Sequence, residues 1–168
     1  MGRIFFSIPL FLFLSVFQSV VVSRIRILSG TADIVILAII SWAIIDEESN
    51  HLVWAIIGGF FISILSALPI SSTFLIYISA ALIAKLIGRI LWQSPLLALL
   101  ASTGIATIIK FFIELFTIQL MDIPAPFGLS VGAILLPAFI LNIFFAFPIY
   151  VLMADISNWI SPKDEKYA

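Results

Sequence analysis

Long apolar runs, separated by short polar or charged segments, fill almost the whole chain. A backbone in lipid must satisfy its own hydrogen bonds, so the segments that span a membrane are helices or the strands of closed barrels. These runs are too long for the alternating pattern of barrel strands. The pattern therefore predicts an all-α membrane protein: one compact domain over residues 1–168, a bundle of about six transmembrane helices at residues 4–22, 33–45, 52–68, 73–91, 96–121 and 133–153, and a polar tail at residues 161–168.

The second predicted helix is the least certain to cross the membrane. Its apolar run, Ile34 to Ile45, covers only about 18 Å of a hydrocarbon core of about 30 Å. It either begins earlier, near Ile27, and crosses, or it is a re-entrant segment. Thr31 or Asp33 as an N-cap and an acidic turn after residue 45 favour the crossing helix.

Lysine and arginine placement gives the orientation, since cytoplasmic loops carry more of these residues. With six crossings, both termini are predicted to be cytoplasmic. That side then holds Arg3, Lys85, Arg89, Lys163 and Lys166, against Arg24 and Arg26 on the other. With five crossings the same rule places the N-terminus outside. The first apolar run, from Ile4 to Val22, is longer than a usual signal-peptide core and is predicted to be kept as a helix.

Composition excludes several classes of function. The chain has 168 residues, of which 63% are hydrophobic and 10% charged, whereas soluble domains have about 45–50% and about 25%. A water-soluble fold is excluded, and no length remains for a soluble catalytic domain. The net charge of -1 offers no basic surface for nucleic acid. No catalytic, metal or phosphate-binding motif is present, so we expect no enzyme activity, cofactor or metal, and His51 is interpreted as a solvated turn residue.

The fifth predicted helix carries one polar stripe. Its members are spaced by 4, 3, 4 and 3 residues and fall within about 80° of the helix surface; they are Thr103, Thr107, Lys110, Glu114 and Thr117. Lys110 lies near the middle of the apolar run, where an ionised side chain costs about 2.5–3.5 kcal/mol or more. It should therefore face protein or water, with Glu114, one turn later, as its counter-ion.

Three interpretations of the Lys110–Glu114 pair stay open: a structural seam that fixes the helix against a neighbour, a ligand or ion site, and a proton relay. The seam is favoured because one pair makes a poor pathway, and no other ionisable residue is predicted at similar depth.

Small residues recur at four-residue spacing in three helices, which lets membrane helices approach closely. Besides the pair Gly58-Gly59, the rows are Gly59, Ser63 and Ala67; Ala80, Ala84 and Gly88; and Ala98, Ser102 and Ala106. They serve either packing within the chain or contacts with partner helices. The longest loop, Asp122 to Gly132, is predicted to face outward.

Three segments of the chain carry recognisable motifs: GTADIVILAIISWAII (Gly30 to Ile45), HLVWAIIGGFFISILSALP (His51 to Pro69) and LLPAFILNIFFAFPIYVLM (Leu135 to Met153). In this order they resemble the MreD family, the small membrane subunit of the bacterial rod-shape system. The matching positions are Asp33, Pro69, Pro137, Asn142, Pro148 and Tyr150. The chain departs from the family pattern at Ala32, where proline is usual, at Ser63, where glycine is expected, and at Ala67, where aspartate is typical. Lys110 and Glu114 match no family motif.

The resemblance implies a non-enzymatic, multi-pass scaffold in the bacterial plasma membrane. It would bind MreC and work with RodA, its transpeptidase partner and, indirectly, MreB in sidewall peptidoglycan synthesis and cell shape. The MreD helix arrangement is also similar to the substrate-binding subunits of energy-coupling-factor vitamin transporters. That alternative would place Lys110 in a small-molecule pocket and give Ala80, Ala84 and Gly88 to the coupling partner.

Overall fold

The computed structural model describes residues 2–45, 50–124 and 126–160. Its main elements are α1 (Gly2–Val20), α2 (Ile34–Ile45), α3 (His51–Leu65), α4 (Ile70–Ile90), α5 (Pro95–Leu120), a short α6 (Phe127–Ser130) and α7 (Leu136–Ile160), with a two-stranded hairpin of β1 (Arg26–Ile27) and β2 (Gly30–Thr31). The predicted tail at 161–168 and the acidic turn after residue 45 lie outside the described residues.

Four stretches are long and apolar enough to cross a membrane, namely Ile4–Arg24, Ile70–Ile90, Pro95–Leu120 and Phe127–Ile160. The prediction of an all-α, membrane-embedded protein is therefore confirmed. The remaining two apolar helices are shorter, since α2 has 12 residues and α3 has 15. The finer count of six complete crossings stays a prediction.

Several helix boundaries differ from the predicted ones by three residues or more. Helix α3 ends at Leu65 instead of residue 68, because Ser66 is already extended with a ψ of 145°. Helix α4 begins three residues earlier than predicted, with Pro69 as its N-cap. Helix α7 continues to Ile160 instead of ending at 153. The predicted end followed the apolar run, but a helix can extend beyond such a run.

The short helix α2 is the centre of the bundle. All of its residues from Ile34 to Ala43 are buried, and α1, α3, α4, α5 and α7 all pack against it. A helix that is apolar on every side is stable only when protein or lipid surrounds it completely. Here the other helices do so, which explains why α2 shows no amphipathic pattern.

A segment between α1 and α2 packs against the start of α7 through its backbone. Pro137 has no N–H, so it leaves the carbonyl of Ala133, four residues earlier, without its helical donor. The backbone N–H of Ser29 donates to that carbonyl at 2.9 Å, and residues Val131–Leu135 form a π-helical turn. A Cβ at Gly30 would lie 2.6 Å from the nitrogen of Ala138. Only glycine fits at this contact.

Candidate functional site

Asp33 stands directly before α2 and caps it. Its Oδ1 accepts a hydrogen bond from the N–H of Ile36 at 3.0 Å, and its carbonyl accepts one from Leu37 at 3.1 Å. An aspartate in this position satisfies N–H groups that the first helical turn leaves without partners. Of the two predicted caps, the structure therefore selects Asp33, while Thr31 belongs to β2.

The second carboxylate oxygen of Asp33 joins two further helices. Lys110 Nζ, on α5, forms an ion pair with Oδ2 of Asp33, and the hydroxyl of Tyr77, on α4, donates to the same oxygen at 3.0 Å. Asp33 is only 3% exposed. A buried carboxylate needs this combination of charge pairing and hydrogen bonds to offset its loss of hydration.

Glu114 is the more distant counter-ion of Lys110. Its Oε1 lies 3.6 Å from Lys110 Nζ, and both side chains are partly exposed, at 23% for Lys110 and 29% for Glu114. The predicted Lys110–Glu114 pair is present, but the expectation that no other ionisable residue lies at similar depth was wrong, since Asp33 is a second and closer counter-ion. Because α2 is short, its cap lies inside the bundle beside Lys110, about 15 Å before the end of α5.

Asn142, on α7, connects Asp33 to the polar stripe of α5. Its Oδ1 accepts a hydrogen bond from the backbone N–H of Asp33 at 2.8 Å, and its Nδ2 donates to Oγ1 of Thr107 at 2.9 Å. The Thr107 hydroxyl in turn donates to the carbonyl of Thr103 at 2.8 Å. Asn142 is 1% exposed, so both of its polar atoms are satisfied inside the protein.

Gln18 connects α1 to the same point. Its Oε1 accepts from the N–H of Ile34 at 2.9 Å, and its Nε2 donates to the carbonyl of Ala32 at 2.8 Å. The sequence interpretation missed both Gln18 and Tyr77. The available signal was an amide near the end of the first apolar run and a phenolic hydroxyl within the fourth. We refer to the set Gln18, Asp33, Tyr77, Thr107, Lys110, Glu114 and Asn142 as the polar cluster.

Two cavities adjoin the polar cluster. One, of about 140 Å³, has Gln18, Asp33, Tyr77, Lys110 and Glu114 among its lining residues. The other, of about 20 Å³, lies against Lys110, Glu114 and Asn142 from the side of α7. Since a water occupies about 30 Å³ of the liquid, the larger cavity has room for a few water molecules, whereas pockets for drug-sized ligands measure about 300–1,000 Å³.

The rest of the polar stripe also faces protein. Thr103, Thr107 and Thr117 are buried. Thr117 donates its hydroxyl to the carbonyl of Ile113 at 2.7 Å, which is a bond within α5 itself. The stripe thus provides one link to α7, one to α2 and otherwise local bonds.

The small-residue rows are largely used within the chain. Ala80 and Ala84 are fully buried, and a Cβ at Gly58 would meet Phe11 and Ile39. Gly59 is buried, while Ser63 and Gly88 are partly exposed. Of the family-motif prolines, Pro69 caps α4 and Pro148 lies exposed inside α7, near the partly buried Tyr150. His51 is buried at the start of α3, so its interpretation as a solvated residue was wrong.

The polar cluster is built to hold helices together. It combines one ammonium group, two carboxylates, two amides and two hydroxyls, and it connects α1, α2, α4, α5 and α7. Within the residues described, no group of three or more histidine, cysteine, aspartate or glutamate side chains has the arrangement of a metal site.

Comparisons with protein-family models, curated proteins and solved structures find no match for this chain.

Proposed function

We propose that this chain is a non-enzymatic membrane scaffold of the MreD type. It would bind MreC and act with RodA, its transpeptidase partner and, indirectly, MreB in sidewall peptidoglycan synthesis. The proposal includes a plasma-membrane location with both termini in the cytoplasm. It starts from the resemblance of three segments, whose motif positions include Asp33 and Asn142.

One observation supports the resemblance most strongly. Asp33 and Asn142 are 109 positions apart in the chain, yet the N–H of Asp33 donates to Oδ1 of Asn142 at 2.8 Å inside the bundle. Chance similarity among apolar helices would select positions by hydropathy alone, without regard to polar contact. The bond joins the side chain of Asn142 to the backbone at position 33, so it supports the resemblance at the asparagine position and at the start of α2.

A second contact joins the same two segments. Gly30 opens the first and packs against Pro137 near the start of the last, where a Cβ on Gly30 would come within 2.9 Å of the proline Cβ. Pro137 is itself a motif position. The glycine and the proline are therefore mutually dependent: the proline frees a carbonyl that the neighbouring Ser29 uses, and the glycine permits the close approach.

A scaffold acts through its lateral surface, and this chain has a large apolar one. Helices α1 and α7 are the least buried of the long spans, since only 22% of the most apolar window of the first span and 28% of that of the last are buried inside the protein. Their exposed side chains include Phe5, Leu12, Phe13, Ile140, Phe144 and Phe147. Lipid covers such a surface by default, and a partner helix competes through closer packing.

The ion pair supports the seam among the three interpretations of Lys110. Asp33 already holds the ammonium group, and Tyr77 and Asn142 complete the hydrogen bonding of the aspartate. If the ammonium group of Lys110 bound an anionic ligand, we would not expect a buried aspartate to be paired with it already. The polar cluster therefore fits a device that fixes the bundle in one arrangement.

The transporter alternative has less support from the geometry. It assigns Ala80, Ala84 and Gly88 to a coupling partner, but the two alanines are buried inside the chain's own bundle. The cavity at Lys110, of about 140 Å³, is also smaller than usual small-molecule sites of about 300–1,000 Å³.

The test is depletion and pull-down in the bacterium that carries the chain. Depletion should make cells lose their rod shape, and MreC should co-purify with the affinity-tagged protein in mild detergent. The matched control is a tagged, unrelated membrane protein of similar size, expressed at the same level, which should recover no MreC. Unchanged shape on depletion, together with recovery of paired ATPases and a bound vitamin, would replace the scaffold by the transporter subunit.

A further inference from the structure

The turn that follows α1 carries two exposed arginines in a fixed arrangement. We name residues Val21 to Leu28 the arginine turn. The Nε of Arg24 donates to the carbonyl of Val20 at 3.2 Å, and the Nε of Arg26 donates to the carbonyl of Ser23 at 2.7 Å. These bonds orient both guanidinium groups. Their other N–H donors make no hydrogen bond or ion pair with any residue that the structure describes.

Apolar side chains surround the two arginines. Leu28 is 74% exposed at the tip of the hairpin, and Val21, Ile25 and Ile27 are each exposed as well. Leu28 has a φ of 54°, the left-handed conformation of a tight turn. Four exposed apolar residues beside two exposed arginines form a surface that is apolar and cationic at once, which neither water nor hydrocarbon solvates fully.

The arginine turn is held firmly to the bundle. The backbone N–H of Ser29 donates to the carbonyl of Ala133, and Gly30 packs on the backbone of Ile134 and Ala138. Gln18 fixes the residues that follow through its bond to the carbonyl of Ala32. A turn anchored on both sides presents its guanidinium groups in one geometry, which lowers the entropy cost of binding a ligand.

The position of the turn indicates where its ligand comes from. Arg24 is the last residue of the first membrane span, Ile4–Arg24, so the turn begins where hydrocarbon gives way to headgroups. At this end of the bundle, Asp122 is the other exposed ionisable residue among those described, and it forms no ion pair with either arginine. The exposed charge at this end is therefore positive.

We propose that the arginine turn binds the phosphate of an anionic glycerophospholipid. Guanidinium groups bind phosphate oxygens through paired, charge-assisted hydrogen bonds. The neighbouring apolar side chains would contact the glycerol and upper acyl region, as at other membrane interfaces. This lipid site is separate from the polar cluster and adds to the scaffold function: it would set the depth and tilt of α1 in the membrane.

Native mass spectrometry of the whole chain in mild detergent tests the site. The protein is titrated with dioctanoyl phosphatidylglycerol and, in parallel, with dioctanoyl phosphatidylcholine. We expect tighter binding of phosphatidylglycerol, and about fivefold weaker binding for each arginine removed in Arg24→Gln and Arg26→Gln. Arg26→Lys should recover part of the loss, since it keeps the charge without the planar fork.

Arg89→Gln is the matched control. Arg89 is an exposed arginine at the far end of α4, so its loss changes the net charge equally and should leave phosphatidylglycerol binding unchanged. A further variant, Leu28→Asn, keeps both arginines and suits a positive φ. It should weaken binding at least about threefold, through the lost apolar contact.

Three results would overturn the proposal. One is equal weakening by Arg89→Gln and Arg26→Gln, which would indicate non-specific attraction. Another is unchanged binding in the double variant Arg24→Gln/Arg26→Gln. The third is displacement of phosphatidylglycerol by inorganic phosphate at the same concentration, which would assign the site to a free anion. If the arginine variants fail to fold, Leu28→Asn is the test, and unchanged phosphatidylglycerol binding by this variant would contradict the proposal.

Discussion

The two ends of α2 are held in contrasting ways. At its beginning, Asp33 receives a backbone bond from Ile36, an ion pair from Lys110 and a hydroxyl from Tyr77. Near its other end, Trp42 stacks on Trp54 with ring centroids 3.6 Å apart and planes 5° from parallel. The indole nitrogens of both tryptophans are buried and make no hydrogen bond within the described residues.

This contrast separates two tasks within one helix. Hydrogen bonds and ion pairs are directional, so the polar end fixes the rotation and height of α2 relative to its neighbours. Apolar packing depends on shape and area, so the aromatic end contributes stability with less dependence on angle. Because α2 is apolar on every side, hydrophobic burial alone gives it no preferred rotation about its axis. The ion pair and hydrogen bonds of Asp33, at the polar end of α2, supply that preference.

The largest effect is expected from Lys110→Leu. This change leaves Asp33 and Glu114 as two carboxylates without a cation, and breaking a buried pair from one side costs about 3–5 kcal/mol. The free energy of unfolding, measured by SDS titration in mixed micelles, should fall by that amount. Asp33→Asn should cost less, because Lys110 keeps Glu114 as a counter-ion and the amide oxygen can still accept from the N–H of Ile36.

The double variant Lys110→Leu/Asp33→Asn is the control for this prediction. It removes both charges of the close pair and keeps an acceptor for the N–H of Ile36, so it should be milder than Lys110→Leu alone. If the two single effects simply add in the double variant, Lys110 and Asp33 are not energetically coupled, and the polar end does not work as described.

Gly30→Ala should have the next largest effect. The added Cβ would lie 2.6 Å from the backbone nitrogen of Ala138 and 2.6 Å from the carbonyl oxygen of Ile134. Backbone atoms cannot turn aside, so we expect a loss of about 1–3 kcal/mol. Gly132→Ala is the matched control: a Cβ there meets nothing within 4 Å, and its effect should stay within about 0.5 kcal/mol. Equal effects at both glycines would contradict the close contact.

Tyr77→Phe tests the polar end with a smaller change. It removes one hydroxyl that donates to Asp33 at 3.0 Å and keeps the ring. Hydrogen bonds between membrane helices contribute about 0.6 kcal/mol on average and up to about 1.7 kcal/mol. We expect a loss in that range from the same titration. An unchanged stability would mean that water or another donor replaces the hydroxyl fully.

The smallest effect on stability is expected at the aromatic end of α2, where Trp42 stacks on Trp54. Replacing Trp42 by its benzothiophene analogue removes the indole N–H and keeps the bicyclic ring. Because that N–H has no partner in the described residues, its loss should be neutral or slightly stabilising. A loss as large as that of Tyr77→Phe would show that the nitrogen is bonded, and the contrast between the two ends would disappear.

The sequence predicted the helices well, because the lengths of apolar runs report membrane spans directly. It also identified Lys110 as a residue that must avoid lipid, and Asp33 as a helix cap. What it missed was that these two residues meet. The cap of a helix is normally at the membrane surface, and only the shortness and central position of α2 bring Asp33 to the level of Lys110.

Gln18 and Tyr77 escaped the sequence interpretation for a related reason. Each is an uncharged polar residue in an apolar run, and a tyrosine in such a run commonly lies at the interface with headgroups. Their role depends on which helices are neighbours, and a pattern along one helix carries no information on that. The bond at Pro137 could not be predicted for the same reason. A proline indicates that the carbonyl four residues earlier, here Ala133, has no helical donor. The donor is the N–H of Ser29, more than 100 residues away in the chain.

The central claim is that Asp33, more than Glu114, is the counter-ion of Lys110. Two double-mutant cycles in the SDS titration test it, one pairing Lys110→Met with Asp33→Asn and the other pairing it with Glu114→Gln. The structure predicts a coupling energy for the aspartate that exceeds that for the glutamate by at least about 1 kcal/mol, given the closer contact and deeper burial of Asp33. An equal or larger coupling with Glu114 would contradict it.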